Sequence, residues 1–194
     1  MEKGKFKDEK ILQAWKDILD GLNLDLKDAN FKGTPERILK SYYEIFEGLG
    51  SEEKEIKELF SKAFPSTYGG MVCEKKIKCF SVCPHHFLPV EYEVSVGYIS
   101  KNGSMLGLSK LPRLVKILAR KPMLQETFTQ SIVEYLMKYL EADGAIAIVK
   151  GRHLCVAMRG IEQLDACTIT SEVDGVFKKD ASAKAEFLEL IKTN

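Results

Sequence analysis

The order of hydrophobic and polar positions divides the chain into a helical first third and a mixed remainder. Apolar residues at 11–22 and again at 38–46 recur with the period of about 3.6 residues that an amphipathic helix shows. Thr34 followed by Pro35 indicates the start of the second helix, and Gly48 and Gly50 end it near residue 49. A further short helix is predicted over 52–63. We therefore expect an N-terminal helical region over 1–66.

The period then changes. Apolar and polar positions alternate at 77–83 and 90–99, which is typical of half-buried strands, and the sequence SKNG at 100–103 predicts a turn. Helices are predicted over 109–120, 123–141 and 181–192, with strands at 144–150, 153–159 and 166–171. This order predicts an α+β fold in which a mostly antiparallel sheet carries helices on one face, within a domain over 67–194. The long strand at 90–99 is expected at a sheet edge, where it could pair with another subunit.

Composition excludes several classes of function. The 194 residues are 45% hydrophobic and 29% charged, with a formal net charge of +1, which argues against nucleic acids and anionic membranes as partners. No apolar run approaches the roughly 20 residues that cross a bilayer. The charged N-terminus has no apolar stretch behind it, so no signal peptide is expected. Five cysteines, an odd number, argue against a disulfide framework and indicate a cytoplasmic protein.

The three histidines of the chain all lie close to cysteines. His85 and His86 follow Cys83 in SVCPHHFLP, and His153 lies two residues before Cys155 in GRHLCVAMRG. Cys83 and His86 are spaced so that both can reach one ion at a strand end, and Cys155 could be the third ligand. Two thiolates and one imidazole suit Zn²⁺, with an open position for a water whose pKa the ion lowers toward about 7. His85 and His153 then remain as candidate proton-transfer groups.

The residues alone leave other interpretations open. A C-x-x-H pair also arises by chance or in structural sites, and a lone Cys155 is more often a buried core thiol than a ligand. Cys79, four residues before Cys83, could complete a structural zinc site with four protein ligands.

Three segments resemble the signature blocks of the GTP cyclohydrolase I family. They are CPHHFLPV, GLSKLPRLVKILARKPMLQE and RHLCVAMRG, and both the helical region at 22–49 and the C-terminus are also similar to that family. The resemblance covers nearly the whole chain from about residue 10. It implies the tunnelling fold and a zinc-dependent hydrolysis of GTP to 7,8-dihydroneopterin triphosphate and formate, the first step of pterin- or folate-type biosynthesis. It also implies a ring-shaped homo-oligomer, typically a decamer, with sites between subunits.

The resemblance also implies roles for individual residues. Cys83, His86 and Cys155 would bind zinc, while His85 and His153 would handle protons at the imidazole ring of guanine. Glu126, with Gln125 beside it, would grip guanine, and Ser109 would assist later steps on the ribose. The triphosphate would be met by four cations, Lys110, Arg113, Arg159 and, from a neighbouring subunit, Arg37. Apart from the resemblance, Glu126 could simply favour a helix start. Lys110 and Arg113 could form a solvated helix face, and Arg37 could belong to a surface ion pair.

One departure from the family pattern leaves an alternative open. The family usually has glutamate between the cysteine and the histidine pair, where this chain has Pro84. Proline favours an extended Cys83 and removes a backbone donor. The alternatives are a same-fold zinc hydrolase acting on another purine or pterin, and a non-catalytic zinc-stabilised binding module. A nitrile-reducing relative of the same fold fits the zinc and histidine blocks less well. Fe(II) or Mn(II) could also occupy such a site.

Overall fold

The computed structural model describes residues 6–101 and 103–193. The first five residues and the last residue of the predicted domains, and position 102 of the predicted turn, lie outside the described residues. Contacts divide the chain into two compact units, Met1–Glu47 and Gly48–Asn194. The predicted boundary after residue 66 stays a prediction, because compactness alone does not define a catalytic domain.

The N-terminal unit contains two helices, α1 (Asp8–Gly21) and α2 (Thr34–Ile45). Their apolar stripes pack together, with the rings of Trp15 and Tyr42 6.3 Å apart. Tyr43 donates a hydrogen bond of 2.6 Å to the carboxylate of Asp8. Both helices are confirmed, although α2 ends at Ile45 rather than near residue 49.

The larger unit contains the remaining elements. Its helices are α3 (Glu52–Phe60), α4 (Lys110–Ala119), α5 (Gln125–Tyr139), α6 (Leu154–Ala157), α7 (Val176–Lys179) and α8 (Ala181–Lys192). Its strands are β1 (Phe64–Pro65), β2 (Met71–Val82), β3 (Pro89–Ser100), β4 (Ser104–Met105), β5 (Ala142–His153) and β6 (Thr168–Gly175). The short strands β1 and β4 pair with each other, and the other four form the main sheet.

The main sheet is antiparallel throughout, in the order β2-β3-β5-β6. The expectation that the strand at 90–99 is an edge strand is wrong, because β3 lies between β2 and β5. Alternation along a strand reports which face is buried, whereas its lateral neighbours depend on pairing that the strand's own sequence does not specify. The edges of this sheet are β2 and β6.

One face of the sheet carries the main hydrophobic core. Helix α4 lies against β2, and α5 lies across β5 and β6. Alternate residues of β5, Ala145, Ala147 and Val149, are fully buried on this side. Two of them are alanines, whose small side chains leave room for the large apolar residues of α5.

The opposite face carries a second, smaller core beneath α8. Phe187 of α8 is fully buried together with Ile146 of β5. Its ring occupies the space above Gly97 of β3, where a Cβ would come within 2.7 Å of the ring. The α+β class and the antiparallel sheet are confirmed. Helices α4 and α5 cover one face as predicted, and α8 on the other face is an addition that the sequence did not indicate.

Two strand predictions differ from the structure. The predicted strand at 153–159 is wrong, because β5 ends at His153 and the chain turns into the short helix α6. Strand β2 begins at Met71, before the predicted start, because a bulge between Glu74 and Ile77 interrupts the alternation of its side chains. None of the helices in the described ranges combines the length and the apolar character that crossing a bilayer requires.

Candidate active site

A tight turn between β2 and β3 presents the first two candidate metal ligands. Cys83 donates its backbone N–H to the carbonyl of Leu88, and its own carbonyl accepts from Phe87, both at 2.9 Å. Phe87 closes the turn with a positive φ of 54°. Pro84 lies within this turn, where its fixed φ limits the alternatives open to the unfolded chain. The turn leaves the Cys83 side chain buried and the His86 ring exposed.

The third candidate ligand comes from the end of β5. Val90 of β3 pairs with His153 of β5, so that β5 ends beside the turn that precedes β3. Helix α6 then begins, and Cys155 lies in its first turn. The ligand atoms of Cys83, His86 and Cys155 all lie within 4.8 Å of one another, and Cys83 Sγ is 3.8 Å from His86 Nδ1. The structure therefore brings together the three residues that the sequence predicts as ligands.

The geometry of this cluster fits a metal ion. Ligand atoms in a tetrahedral zinc site lie roughly 3.5–3.8 Å apart, so a small contraction of the cluster would surround an ion. The pKa of Cys155 is raised, first by burial and then by the neighbouring Cys83 thiol. A cation at this position would reverse that effect, because it favours the thiolate. In the described part of the chain no further cysteine, histidine or carboxylate joins the group, so a fourth position stays open.

Cys79 does not belong to the cluster. It lies on β2 opposite Tyr92, and burial raises the pKa of its thiol to about 12 although Arg120 opposes this effect. The alternative with Cys79 as a fourth ligand therefore gains no support from the structure.

His153 is half-buried beside the cluster and is held by Gln125. Its Nε2 lies 2.9 Å from Gln125 Oε1, and its ring meets the ring of Tyr92 edge-on at 6.2 Å. Burial lowers the pKa of His153, while Glu126 acts in the opposite direction. Since the ordinary pKa is about 6.5, the ring is neutral at neutral pH. His85 is exposed on the same turn as His86, with its ring 6.3 Å from that of His86.

The first turn of α5 contributes both residues that the family resemblance assigns to guanine. Gln125 is 2% exposed, and its amide makes hydrogen bonds within the protein. Glu126 is exposed, and its effect on the pKa of His153 puts it in the same neighbourhood. The structure therefore places both residues near His153, and only the fold distinguishes the buried Gln125 from the accessible Glu126.

Ser109 and the four candidate triphosphate-binding cations lie on three other segments. Ser109 precedes α4, and Lys110 and Arg113 occupy its first turn. Arg159 follows α6 and slightly lowers the pKa of Cys155. In the N-terminal unit, Arg37 donates hydrogen bonds to the carbonyls of residues 30 and 32 and to the hydroxyl of residue 34, so that it orders the loop before α2.

Tyr92 is a site residue that the sequence analysis did not identify. Its side chain is 3% exposed and its ring stacks on Phe128 at 4.8 Å. Within the described ranges its hydroxyl oxygen is buried without a hydrogen-bond partner. Burial raises its pKa, and the neighbouring Cys79, Cys83 and Glu126 raise it further, so the hydroxyl lies in the same neighbourhood as the candidate ligand Cys83. In the sequence Tyr92 is only one apolar position of an alternating strand.

Comparisons with known proteins agree with the motifs. The sequence profile of GTP cyclohydrolase I matches residues 11–192. The GTP cyclohydrolase 1 of Halalkalibacterium halodurans is 42% identical over 184 residues, which are 95% of this chain and 96% of that protein. The GTP cyclohydrolase 1 of Bacillus subtilis is 40% identical over 184 residues, 95% of each chain. A solved structure of an archaeosine synthase QueF-Like protein in the apo form has a TM-score of 0.46 and 19% identity, and covers 56% of this chain and 97% of its own.

The profile spans nearly the whole chain, and the matched range contains all three candidate metal ligands and the residues around them. The relatives are matched along almost their full length. This chain belongs to the GTP cyclohydrolase I family.

Proposed function

We propose that this chain hydrolyses GTP to 7,8-dihydroneopterin triphosphate and formate, with a zinc ion held by Cys83, His86 and Cys155. The observation that carries the proposal is the convergence of these three donors from two separate segments, beside a half-buried histidine, in a member of this family. The product would serve pterin- or folate-type biosynthesis.

The donor set supports zinc as the metal. Thiolate and imidazole are its usual ligands, and three protein ligands with an open position are typical of catalytic sites, whereas structural sites take four. A bound zinc ion would supply a Lewis acid that makes hydrolysis possible at neutral pH. This difference in ligand number favours an enzyme over a zinc-stabilised binding module. Metal analysis of the purified protein distinguishes zinc from Fe(II) and Mn(II).

The two histidines outside the metal set would carry protons. Neutral His153 can accept a proton and return it to a nitrogen of the guanine imidazole ring as that ring opens and C8 leaves as formate. His85, on the same turn as the ligand His86, is the second proton carrier. Proton transfer by a positioned side chain contributes about 10²–10⁴-fold to a rate, so the loss of either should lower turnover strongly.

Glu126 would select the base. A carboxylate can accept two parallel hydrogen bonds from the N1–H and the 2-amino group of guanine, and adenine lacks that pair of donors. Glu126→Gln should therefore raise KM for GTP by at least about 10-fold, because each bond to a charged group is worth about 1.5–3 kcal/mol. The zinc content of this variant should stay at the wild-type value, since Glu126 is not one of the three candidate ligands.

The start of α4 supports a phosphate site. Lys110 and Arg113 stand at the positive end of the helix dipole, which is unfavourable for the helix and favourable for an anion. Ser109 makes no capping hydrogen bond through its side chain in the described chain, which leaves its hydroxyl for the later steps on the ribose. We assign Arg159 and, from a neighbouring subunit, Arg37 to the same triphosphate.

The chain would act in the cytoplasm as a homo-oligomer, with sites between subunits. Its five cysteines are free, which supports a reducing compartment. Strands β2 and β6 at the edges of the main sheet offer backbone groups to further copies, and a decamer is the assembly that we expect. A single-chain mass at micromolar concentration in light scattering would contradict this assembly.

The decisive experiment follows formate release and pterin fluorescence after oxidation, with purified, metal-analysed protein and GTP. We expect both signals, their loss on chelation and their return with zinc. His153→Ala should retain zinc and lose both signals. Near wild-type turnover of His153→Ala would refute the role of His153.

The same assay decides between the proposal and its rivals. Formate without pterin would indicate an enzyme that stops after ring opening. If the protein binds zinc but GTP yields neither formate nor pterin fluorescence, the proposal fails. A panel of other purines and pterins then tests whether Pro84 accompanies a different substrate.

A further inference from the structure

The amide of Gln125 has a single permitted orientation. Its Nε2 lies 3.1 Å from the carbonyl oxygen of Val149, 3.0 Å from that of Thr168 and 3.1 Å from Thr170 Oγ1. Backbone carbonyls only accept hydrogen bonds, so the nitrogen end of the amide must face them. The oxygen end is thereby directed to the other side.

Two threonine hydroxyls reinforce this orientation. Thr129 Oγ1 donates its proton to the backbone carbonyl of Gln125 at 2.8 Å. Its bond of 2.6 Å with Thr170 Oγ1 must then be donated by Thr170, which in turn accepts from Gln125 Nε2. The donations form a closed cycle that begins and ends on Gln125. Gln125 and Thr129 are 2% and 1% exposed, so water does not compete for these bonds.

The same network determines which nitrogen of His153 carries the proton. Gln125 Oε1 is 2.9 Å from His153 Nε2, and an amide oxygen only accepts. Nε2 must therefore carry a hydrogen, and in the neutral ring the lone pair is on Nδ1. Gly151 makes this arrangement possible, since a Cβ at that position would come within 2.2 Å of Gln125 Oε1.

We propose that Gln125 is a positioning residue that holds His153 as its Nε2–H tautomer and presents Nδ1 as the atom that exchanges protons with the substrate. This inference rests on the proposed function for the identity of the substrate. Under this inference Gln125 does not contact guanine directly, because both ends of its amide already have protein partners. Partners that orient a metal-binding histidine typically contribute about 10–100-fold to activity, and we expect an effect of the same order for the partner of His153.

Steady-state kinetics separate positioning from substrate binding. Gln125→Met keeps the length of the side chain and removes both ends of the amide. We expect kcat to fall about 10–100-fold, with KM for GTP within about 2-fold of wild type, because the substrate does not touch the amide. Thr170→Val should give a smaller loss, since the carbonyls of Val149 and Thr168 still hold the amide.

The matched control is Gln130→Met, on an exposed position of the same helix, which should leave both constants unchanged. An increase of KM at constant kcat in Gln125→Met would assign Gln125 to the substrate and overturn the inference. Unchanged kinetics would overturn it as well.

A spectroscopic test needs no turnover. The chain has three histidines, so protein labelled with ¹⁵N-histidine gives three pairs of imidazole nitrogen signals, and the pair that is lost in His153→Ala belongs to His153. We expect His153 as the Nε2–H tautomer in the wild type and a mixture of tautomers in Gln125→Met. A wild-type proton on Nδ1 would refute the inference. If this tautomer is present but GTP yields no formate, the proposed function fails and the positioning role stands.

Discussion

Gly151→Ala should disturb the site from within the sheet, and the size of the effect follows from the geometry. An alanine Cβ would lie 2.2 Å from Gln125 Oε1, 2.9 Å from its Cδ and 3.0 Å from Cε1 of Tyr92. Unbonded heavy atoms settle at about 3.5–4.0 Å, so the amide must withdraw by more than about 1 Å. The Tyr92 ring cannot move aside easily, because it stacks on Phe128.

A shift of that size would lengthen the hydrogen bonds from Gln125 Nε2 beyond bonding distance, from their present 3.0–3.1 Å. The amide has two N–H groups, which these three acceptors share, and two bonds at about 1–1.5 kcal/mol each predict a loss of about 2–3 kcal/mol in the free energy of unfolding. His153 would lose its partner at the same time, so kcat should fall as far as in Gln125→Met. Urea unfolding and GTP turnover at equal zinc content measure the two effects.

Gly69→Ala is the matched control, because a Cβ at Gly69 would meet nothing within 4 Å. It should change the free energy of unfolding by less than about 0.5 kcal/mol. If Gly151→Ala is equally harmless and fully active, the amide of Gln125 does not occupy the space above Gly151. The reasoning about the His153 tautomer would then fail with it.

Three further predictions concern the metal and the cores. Cys155→Ser should weaken zinc binding by at least about 100-fold in competition with a chelator. Cys79→Ser is the control and should bind zinc as tightly as the wild type. An equal loss of affinity in both variants would contradict the three-ligand site. Phe187→Ala should cost about 3–5 kcal/mol in urea unfolding, since its ring is fully buried; a cost below about 1 kcal/mol would place α8 off the sheet. Tyr92→Phe should stabilise the metal-free chain by about 1 kcal/mol, because it removes a buried hydroxyl that has no partner in the described residues; destabilisation would mean that this hydroxyl is bonded.

The sequence predicted helices well wherever an apolar stripe was long and clearly bounded. The closing helix was predicted over 181–192, and α8 spans Ala181–Lys192. Asp180 caps this helix by accepting from the backbone N–H of Ser182, a signal that is local in the sequence. The incorrect prediction of a strand at 153–159 shows the opposite case, in which the local sequence does not decide the element. A short apolar run fits a strand or a helical turn equally well, and here packing produced the four-residue helix α6.

The candidate metal ligands could be found from the sequence because their residue types are informative in themselves. Histidines are few in this chain, and each lies near a cysteine. The role of Gln125 carries no such signal. It depends on the carbonyls of β5 and β6 and on the space that Gly151 leaves for the amide, which are brought together by strand pairing across distant parts of the chain.

The sequence by itself therefore determined the fold class, most of the longer elements and the candidate metal ligands, since these follow from local periodicity and from side-chain chemistry. Only the tertiary structure decided that β3 lies inside the sheet, that Cys155 meets Cys83, and that Gln125 faces His153 rather than solvent. The physical reason is that these relations depend on the register between strands and on the burial that it creates. Register is a property of pairs of segments, and neither segment specifies it alone.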